Sequence, residues 1–207
     1  MPTPLEKARL DRESMKAKIL DSARKLFGEY GYHGTTTRMI ATHVGIDIST
    51  LYYHWGEKRD LYESVITDIN DEMRDKLLEA EELMAGKEIS ERIEIGIDHI
   101  CDYLFENPEI SNLILFRYFS KTRDDHSIEN KIPEYISNIA VSLGLAQRKK
   151  DITVEAKAQV LAIWNAVLNF ISGRSVFQPI LEIDKQEYIR IVKKTMNFLL
   201  IPAFSGT

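Results

Sequence analysis

An all-α fold is what the sequence predicts, on three observations. No proline lies between Pro4 and Pro108, so nothing in the first half forces a helix to break. Apolar residues recur three and four apart, as in Ile19, Ala23, Leu26, Phe27 and Tyr30, which is the period of a helix with one buried face. Nowhere is there a sustained strand alternation bounded by hairpin turns.

The first helix is expected from about Arg12 to Tyr30, where "GYHG" stops it. In "TTTRMIATHVG" the threonines offer N-caps, Ile40 and Val44 lie four apart, and Gly45 is the stop, so a second helix of about two turns follows. Asp47 can cap a third helix in "DISTLYYHW". Neighbouring helical residues point about 100° apart, so one buried face cannot take Leu51, Tyr52, Tyr53 and Trp55 together. The register buries Leu51 and Trp55, leaves Tyr52 at the boundary between core and surface, and turns Tyr53 outward.

Gly56 breaks the chain, and a longer helix begins at Lys58 and runs through "RDLYESVITDINDEMRDKLLEAEELM". Beyond Gly86 the pattern continues with Ile93, Ile97, Ile100, Cys101 and Leu104, until Asn107-Pro108 pushes the backbone out of the α region. Further helices are expected over 109–121, 133–143, 153–173 and 184–200, separated by "KTRDDHS", "GLAQRKKD" and "FQPI". There is no internal repeat and no low-complexity tract.

Composition narrows the function. Hydrophobic residues make up 44% and charged residues 29%, which suits a globular protein rather than a disordered or membrane-embedded one. No stretch approaches the roughly 20 apolar residues of a spanning helix. Met1 to Ser14 mixes charges of both signs with no apolar run, so a secretory signal is not expected and the cytoplasm is the expected compartment, without a membrane partner. The single cysteine, Cys101, excludes an internal disulfide and any multi-cysteine zinc site.

Catalysis is not expected either. The chain has no Glu-x-x-His pair for a di-iron bundle. The nearest set, Glu94, Asp98 and His99, lacks that spacing and a second copy, and Asp98, His99, Cys101 and Asp102 of "DHICD" point in several directions from one helix, so no metal or other cofactor is expected. The net charge of −5 conceals a gradient. Residues 1–60 hold 10 Lys/Arg and 8 Asp/Glu, and residues 61–207 hold 17 and 24, a mildly basic front on an acidic body.

Two short helices separated by "GID" have the sequence shape of a helix-turn-helix. Gly45 serves the turn, Ile40, Val44 and Leu51 lock the pair, and Ser49, Thr50, Tyr53 and His54 supply polar and aromatic groups on the free face. Residues 19–66, "ILDSARKLFGEYGYHGTTTRMIATHVGIDISTLYYHWGEKRDLYESVI", resemble the DNA-binding domain of the TetR family of transcriptional regulators through "A..LF...G", "T....IA...G" and an aromatic-rich "LYYHW..K..L".

That resemblance implies a three-helix DNA-binding domain over 1–60 and a larger helical domain over 61–207 for effector binding and dimerisation. It implies that Thr37 and Arg38 contact phosphate and base, that Ser49, Thr50 and Tyr53 face DNA, and that Tyr52, His54 and Lys58 bind backbone phosphates. Hydroxyls and a guanidinium suit those roles, and Arg can read guanine bidentately. Tyr52 can equally be a core residue. Helix N-termini near Thr36 and Gly56 offer free amides to phosphate without a strongly basic sequence. Two positions depart from the family: Ile48 stands where a polar residue is common, and Asp47 where Ser or Thr is common. Base reading then rests more heavily on Arg38, Thr50 and Tyr53.

For the larger domain, His99, Tyr103, Phe116, Phe119, Trp164 and Leu168 are the candidate pocket residues, on helices where family pockets form. Small side chains at Ala158, Ala162 and Ala166, continued by Asn169, let a second helix approach closely. With Ile191, Val192 and Met196 of the last helix they are the candidate dimer face. The implied function is a homodimeric repressor that leaves a near-palindromic double-stranded DNA operator when a small-molecule effector binds. A DNA-binding regulator without a ligand is the alternative. A dimer places its two recognition helices about 34 to 36 Å apart or somewhat more.

Overall fold

A computed structural model describes residues 2–119 and 132–205 of the chain. Among them are eleven α-helices and no strand, as the all-α expectation requires. The chain divides into two compact units, Met1–Glu72 with Asn112–Ser120, and Met73–Ser111 with Lys121–Thr207. No single helix among the described residues is long and apolar enough to cross a membrane.

The first unit opens with a helix the periodicity did not suggest, α1 (Pro4–Leu10). Thr3 accepts from the Glu6 amide while the Glu6 carboxylate accepts from the Thr3 amide, a reciprocal cap that sustains seven residues. Arg9 then donates to Asp68 at 2.7 Å and Asp71 at 3.1 Å, tying α1 to the long helix α5 (Lys58–Met84).

Helix α2 (Met15–Gly34) starts behind Ser14 rather than at Arg12, and Gly31 interrupts it with non-helical backbone. Its buried face is Ile19, Leu20, Ala23, Leu26 and Phe27. Phe27 meets Tyr62 edge-on with ring centroids 5.0 Å apart, and Tyr62 lies 4.9 Å from Tyr32. Thr35 is fully buried, and its hydroxyl lies 2.9 Å from the carbonyls of both Leu26 and Gly31.

Helix α3 (Thr37–Val44) has Thr36 at its N-cap, accepting from the Met39 amide. Gly45 ends it in the left-handed region at φ 81°, open to glycine at little cost. Helix α4 (Ile48–Trp55) follows, buries Leu51 and Trp55, and stops at Gly56.

In the second unit, α6 (Ile89–Glu106) buries Ile93, Ile97, Ile100, Cys101 and Leu104 as its spacing predicts. It packs on α9 (Val154–Ser172) and on α11 (Lys185–Ser205). Burial pushes the Cys101 thiol up to about 12, which keeps it protonated and inert. Helix α7 (Pro108–Phe119) follows α6 directly, and α8 (Ile132–Ser142) packs on α9. The expected separator "KTRDDHS", with the end of the 109–121 helix, lies outside the described residues.

The expected separator "FQPI" instead lies in helix α10 (Arg174–Leu181), with Pro179 inside it. Gly173 forms the joint between α9 and α10. A Cβ there would meet the Phe177 ring at 2.4 Å and the Asn169 carbonyl at 2.8 Å, so only glycine lets the ring close on the corner.

Thr35→Val retains the shape of a buried residue but removes the one O–H shared by the Leu26 and Gly31 carbonyls, while the Gly31 carbonyl keeps the backbone N–H of residue 35. Urea unfolding is expected to show a loss of about 1 to 3 kcal/mol, against less than that for the exposed Thr42→Val.

Candidate nucleic-acid interface

Helix α4 is only eight residues long and draws little stability from its own hydrogen bonds. Leu51 and Trp55, four apart, form its buried stripe at 0% and 3% exposure. Its end is fastened through Lys16 of α2. The Trp55 indole donates to the Lys16 carbonyl at 3.2 Å, and the Lys16 ammonium donates to the His54 carbonyl at 2.9 Å and lies 3.1 Å from His54 Nδ1. His43 of α3 is exposed but tied to α2. Its Nδ1 lies 2.9 Å from Ser22 Oγ of α2.

With the buried stripe so occupied, the opposite face is fixed. Tyr53 is 85% exposed, Ser49 is exposed, and Thr50 is half-buried beside them. Tyr52 is 42% exposed, so this ring stands at the edge of the core rather than inside it. At the start of α3, Thr37 is half-buried and Arg38 exposed. Asp47 occupies the N-cap position of α4 in extended backbone, but its side chain accepts no capping hydrogen bond, contrary to the role its residue type suggests. Ile48 is half-buried.

Two of the eight candidate residues hold internal partners. Lys58 donates to the Tyr32 carbonyl at 2.8 Å and the Thr35 carbonyl at 2.9 Å, and its ammonium lies 4.2 Å over the Tyr32 ring. That lysine fastens the start of α5 to the end of α2, and burial lowers its pKa. His54 is held by Lys16, and its pKa is lowered by burial first and by the Lys16 charge second. With an ammonium donating to Nδ1, the proton of the neutral ring sits on Nε2, which leaves a donor for phosphate. The amides at the break before α5 are partly occupied as well, because Glu57 N–H donates to Asp60.

Residues 19–65 match the family described as "Bacterial regulatory proteins, tetR family". The chain carries a TetR-family domain. The biofilm operon icaADBC negative transcriptional regulator IcaR of Staphylococcus aureus (strain Newman) is 48% identical over 52 residues, which are 25% of this chain and 28% of that protein. The match thus spans less than a third of that curated relative. A TetR-like transcriptional regulator from Rhodococcus sp. has the same fold at 15% identity and a TM-score of 0.64, over 92% of this chain and 95% of that one. FadR of Bacillus subtilis, solved in complex with stearoyl-CoA, matches at 17% identity and a TM-score of 0.58, over 88% and 96%. A TetR-type domain followed by a helical C-terminal domain is therefore the architecture of this chain.

The six candidate pocket residues do not converge. A cavity of about 110 Å³ opens in the second unit among α5, α6, α8, α9 and α11, and of the six only Trp164 lines it. Leu168 is fully buried, His99 Nε2 lies 3.2 Å from Glu79 Oε2, and the Lys76 ammonium lies 5.6 Å from the Tyr103 ring. Phe116 belongs to the first unit, 3.8 Å from where a Cβ on Gly31 would sit, and Phe119 is 82% exposed. The cavity wall consists mainly of aliphatic side chains such as Leu77, Ile97, Ile139 and Val167. No single-residue motif announces it, since its wall is assembled from four or more helices.

Among the dimer-face candidates, Ala158, Ala162 and Asn169 are exposed, and Ala166 and Ile191 are half-buried. Val192 and Met196 are each buried to 1% within their own subunit. Leu161, Phe198 and Leu199 are exposed instead, as are Val176, Ile180 and Leu181 on α10. The acidic candidates for metal binding have a cation already: the Lys193 ammonium lies 2.6 Å from Asp102 and 3.5 Å from Asp98.

The environment of His54 has a pH signature. A histidine whose folded pKa lies below its unfolded value of about 6.5 binds fewer protons folded than unfolded. Stability is therefore present above about pH 6.5 and is lost as pH falls toward the folded pKa. Melting temperatures between pH 5 and 7 should decline in acid, and Lys16→Met, which removes the repelling charge but not the burial, should shallow that decline. A slope unchanged in His54→Gln would assign the decline to other groups.

Proposed function

We propose that this chain is a sequence-specific DNA-binding transcriptional regulator, working as a homodimeric repressor that a small-molecule effector releases from a near-palindromic operator. The observation that carries the reading is the outward face of α4, where Tyr53 stands 85% exposed beside Ser49 and Thr50, its ring 5.2 Å from that of His54. A soluble domain gains nothing by presenting a large ring to water, whereas a groove gives it a surface to cover.

In this reading Tyr53, Thr50 and Ser49 enter the major groove, and Arg38 reads a base or phosphate from the start of α3. Thr37, Tyr52 and the His54 Nε2–H hold the backbone. The remaining N–H of Lys58 reaches phosphate while its other two hold the Tyr32 and Thr35 carbonyls. The name of IcaR, a negative transcriptional regulator, favours repression. The stearoyl-CoA complex of FadR, a protein of the same fold, favours an effector in the helical domain.

The homodimer reading rests on exposed apolar side chains concentrated on α9, α10 and α11, among them Leu161, Val176, Ile180 and Phe198, beside the small residues Ala158 and Ala162. Exposed apolar area of this kind marks an interface. Val192 and Met196 support that face from beneath. An effector then acts by binding better to a subunit arrangement whose recognition helices are wrongly spaced.

Operator selection from random DNA followed by gel-shift titration at fixed salt tests the reading. Tyr53→Ala and Thr50→Ala are each expected to weaken the selected site about tenfold or more and leave melting unchanged. Equal affinity for wild type and both variants would sink the assignment of this face.

Light scattering is expected to return a dimer at micromolar concentration and a monomer for Ala162→Glu. A wild-type monomer would remove the dimer from the proposal.

A further inference from the structure

The cavity of the second unit is apolar but not uniformly so. Arg92 on α6 and Asn138 on α8 both line it, and Arg92 Nε and Asn138 Oδ1 are buried atoms with no hydrogen-bond partner among the described residues. A buried polar atom left unpaired costs free energy, and such an atom in a native structure is met by a water, an ion or a ligand. Both residues belong to the lining of one space, and the remainder of that lining is largely aliphatic, with Trp164 among it.

The charges of the lining favour one sign. Arg74 and Arg92 are cationic, Glu81 is anionic and exposed, and no other charged residue lines the cavity. Arg74 engages Asp75 through two nitrogens at 2.9 and 3.1 Å, outside the cavity lining. Among the described residues Arg92 is thus the lining guanidinium without an ion-pair partner, and a guanidinium pairs best with a planar carboxylate, which accepts two parallel N–H bonds. The Asn138 Oδ1 is an acceptor, so it calls for a donor such as a water rather than for the carboxylate itself.

We propose that this cavity binds an aliphatic carboxylate, its chain against the aliphatic wall and its head on Arg92. The proposal rests on the effector reading above and narrows it to a ligand class. A neutral apolar molecule would fill the wall and leave the Arg92 Nε–H unpaired. An aliphatic cation would be repelled by Arg92.

Sodium octanoate, 1-octanol and octyltrimethylammonium, each below its micellar concentration, are compared on the full-length protein by thermal shift and by calorimetric titration. Octanoate is expected to raise the melting temperature in proportion to ligand occupancy, octanol to do so less, and the ammonium compound not at all. In Arg92→Met the octanoate affinity should fall about tenfold or more, with octanol binding held within about twofold. Arg92→Lys retains a cation without Nε, should fall between the two, and serves if the methionine variant does not fold.

Equal shifts by octanoate and octanol in the wild type, stabilisation by the ammonium compound, or undiminished octanoate binding in both Arg92 variants would overturn the carboxylate assignment. The gel shift on the selected operator separates this from the broader reading. Octanoate binding without operator release upholds the site and overturns its effector role. Operator binding by a protein that ignores octanoate overturns the site alone.

Discussion

Everything the proposed DNA-facing surface does depends on how an eight-residue helix is held still. Helix α4 cannot persist alone, and its position is set by two side chains driven out of water, Leu51 and Trp55, together with the hydrogen bonds that Lys16 makes to its last turn. Burial of a leucine and a tryptophan outweighs any one of those polar contacts, so it determines which face is inside. The polar contacts determine rotation and slide. Once both are set, the side chains at Ser49, Thr50 and Tyr53 have no other direction to take than outward.

The same economy gives several polar residues two roles. Lys58 and His54 sit where the TetR resemblance puts phosphate ligands, yet each already holds part of the domain's backbone or a neighbouring side chain. A phosphate donor that is also a strut arrives at DNA with its rotamer restricted, so less entropy is lost on binding. It follows that removing such a residue perturbs fold and affinity together, whereas Tyr53 and Thr50 can be removed with little structural consequence.

Legibility in the sequence varied with the range of the forces involved. The α2, α3, α4 and α6 helices were readable because their spacing repeats a single buried stripe. The α1 helix was not, although Thr3 and Glu6 carry a cap signal, because seven residues are too few for a period to emerge. The α10 helix was hidden by Pro179, which usually argues for a break, and by Gly173, whose value lies in a close approach of the Phe177 ring. The fate of Tyr52 depended on a fraction of a helical turn. The cavity residues were the least readable, since Arg92, Asn138 and Trp164 lie on three helices with no common spacing.

By itself the sequence determined the helical class, the order of the N-terminal helices and the TetR kinship of residues 19–65, because these rest on local periodicity, caps and a contiguous motif. It also determined that Tyr53 faces outward, since a helix has one buried face and Leu51 with Trp55 fills it. The tertiary structure alone decided which polar side chains hold the scaffold, which apolar ones on α9, α10 and α11 stay exposed, and where a cavity opens. Those outcomes depend on residues far apart in the chain meeting in space. Neither a period of 3.6 nor a short motif encodes such meetings.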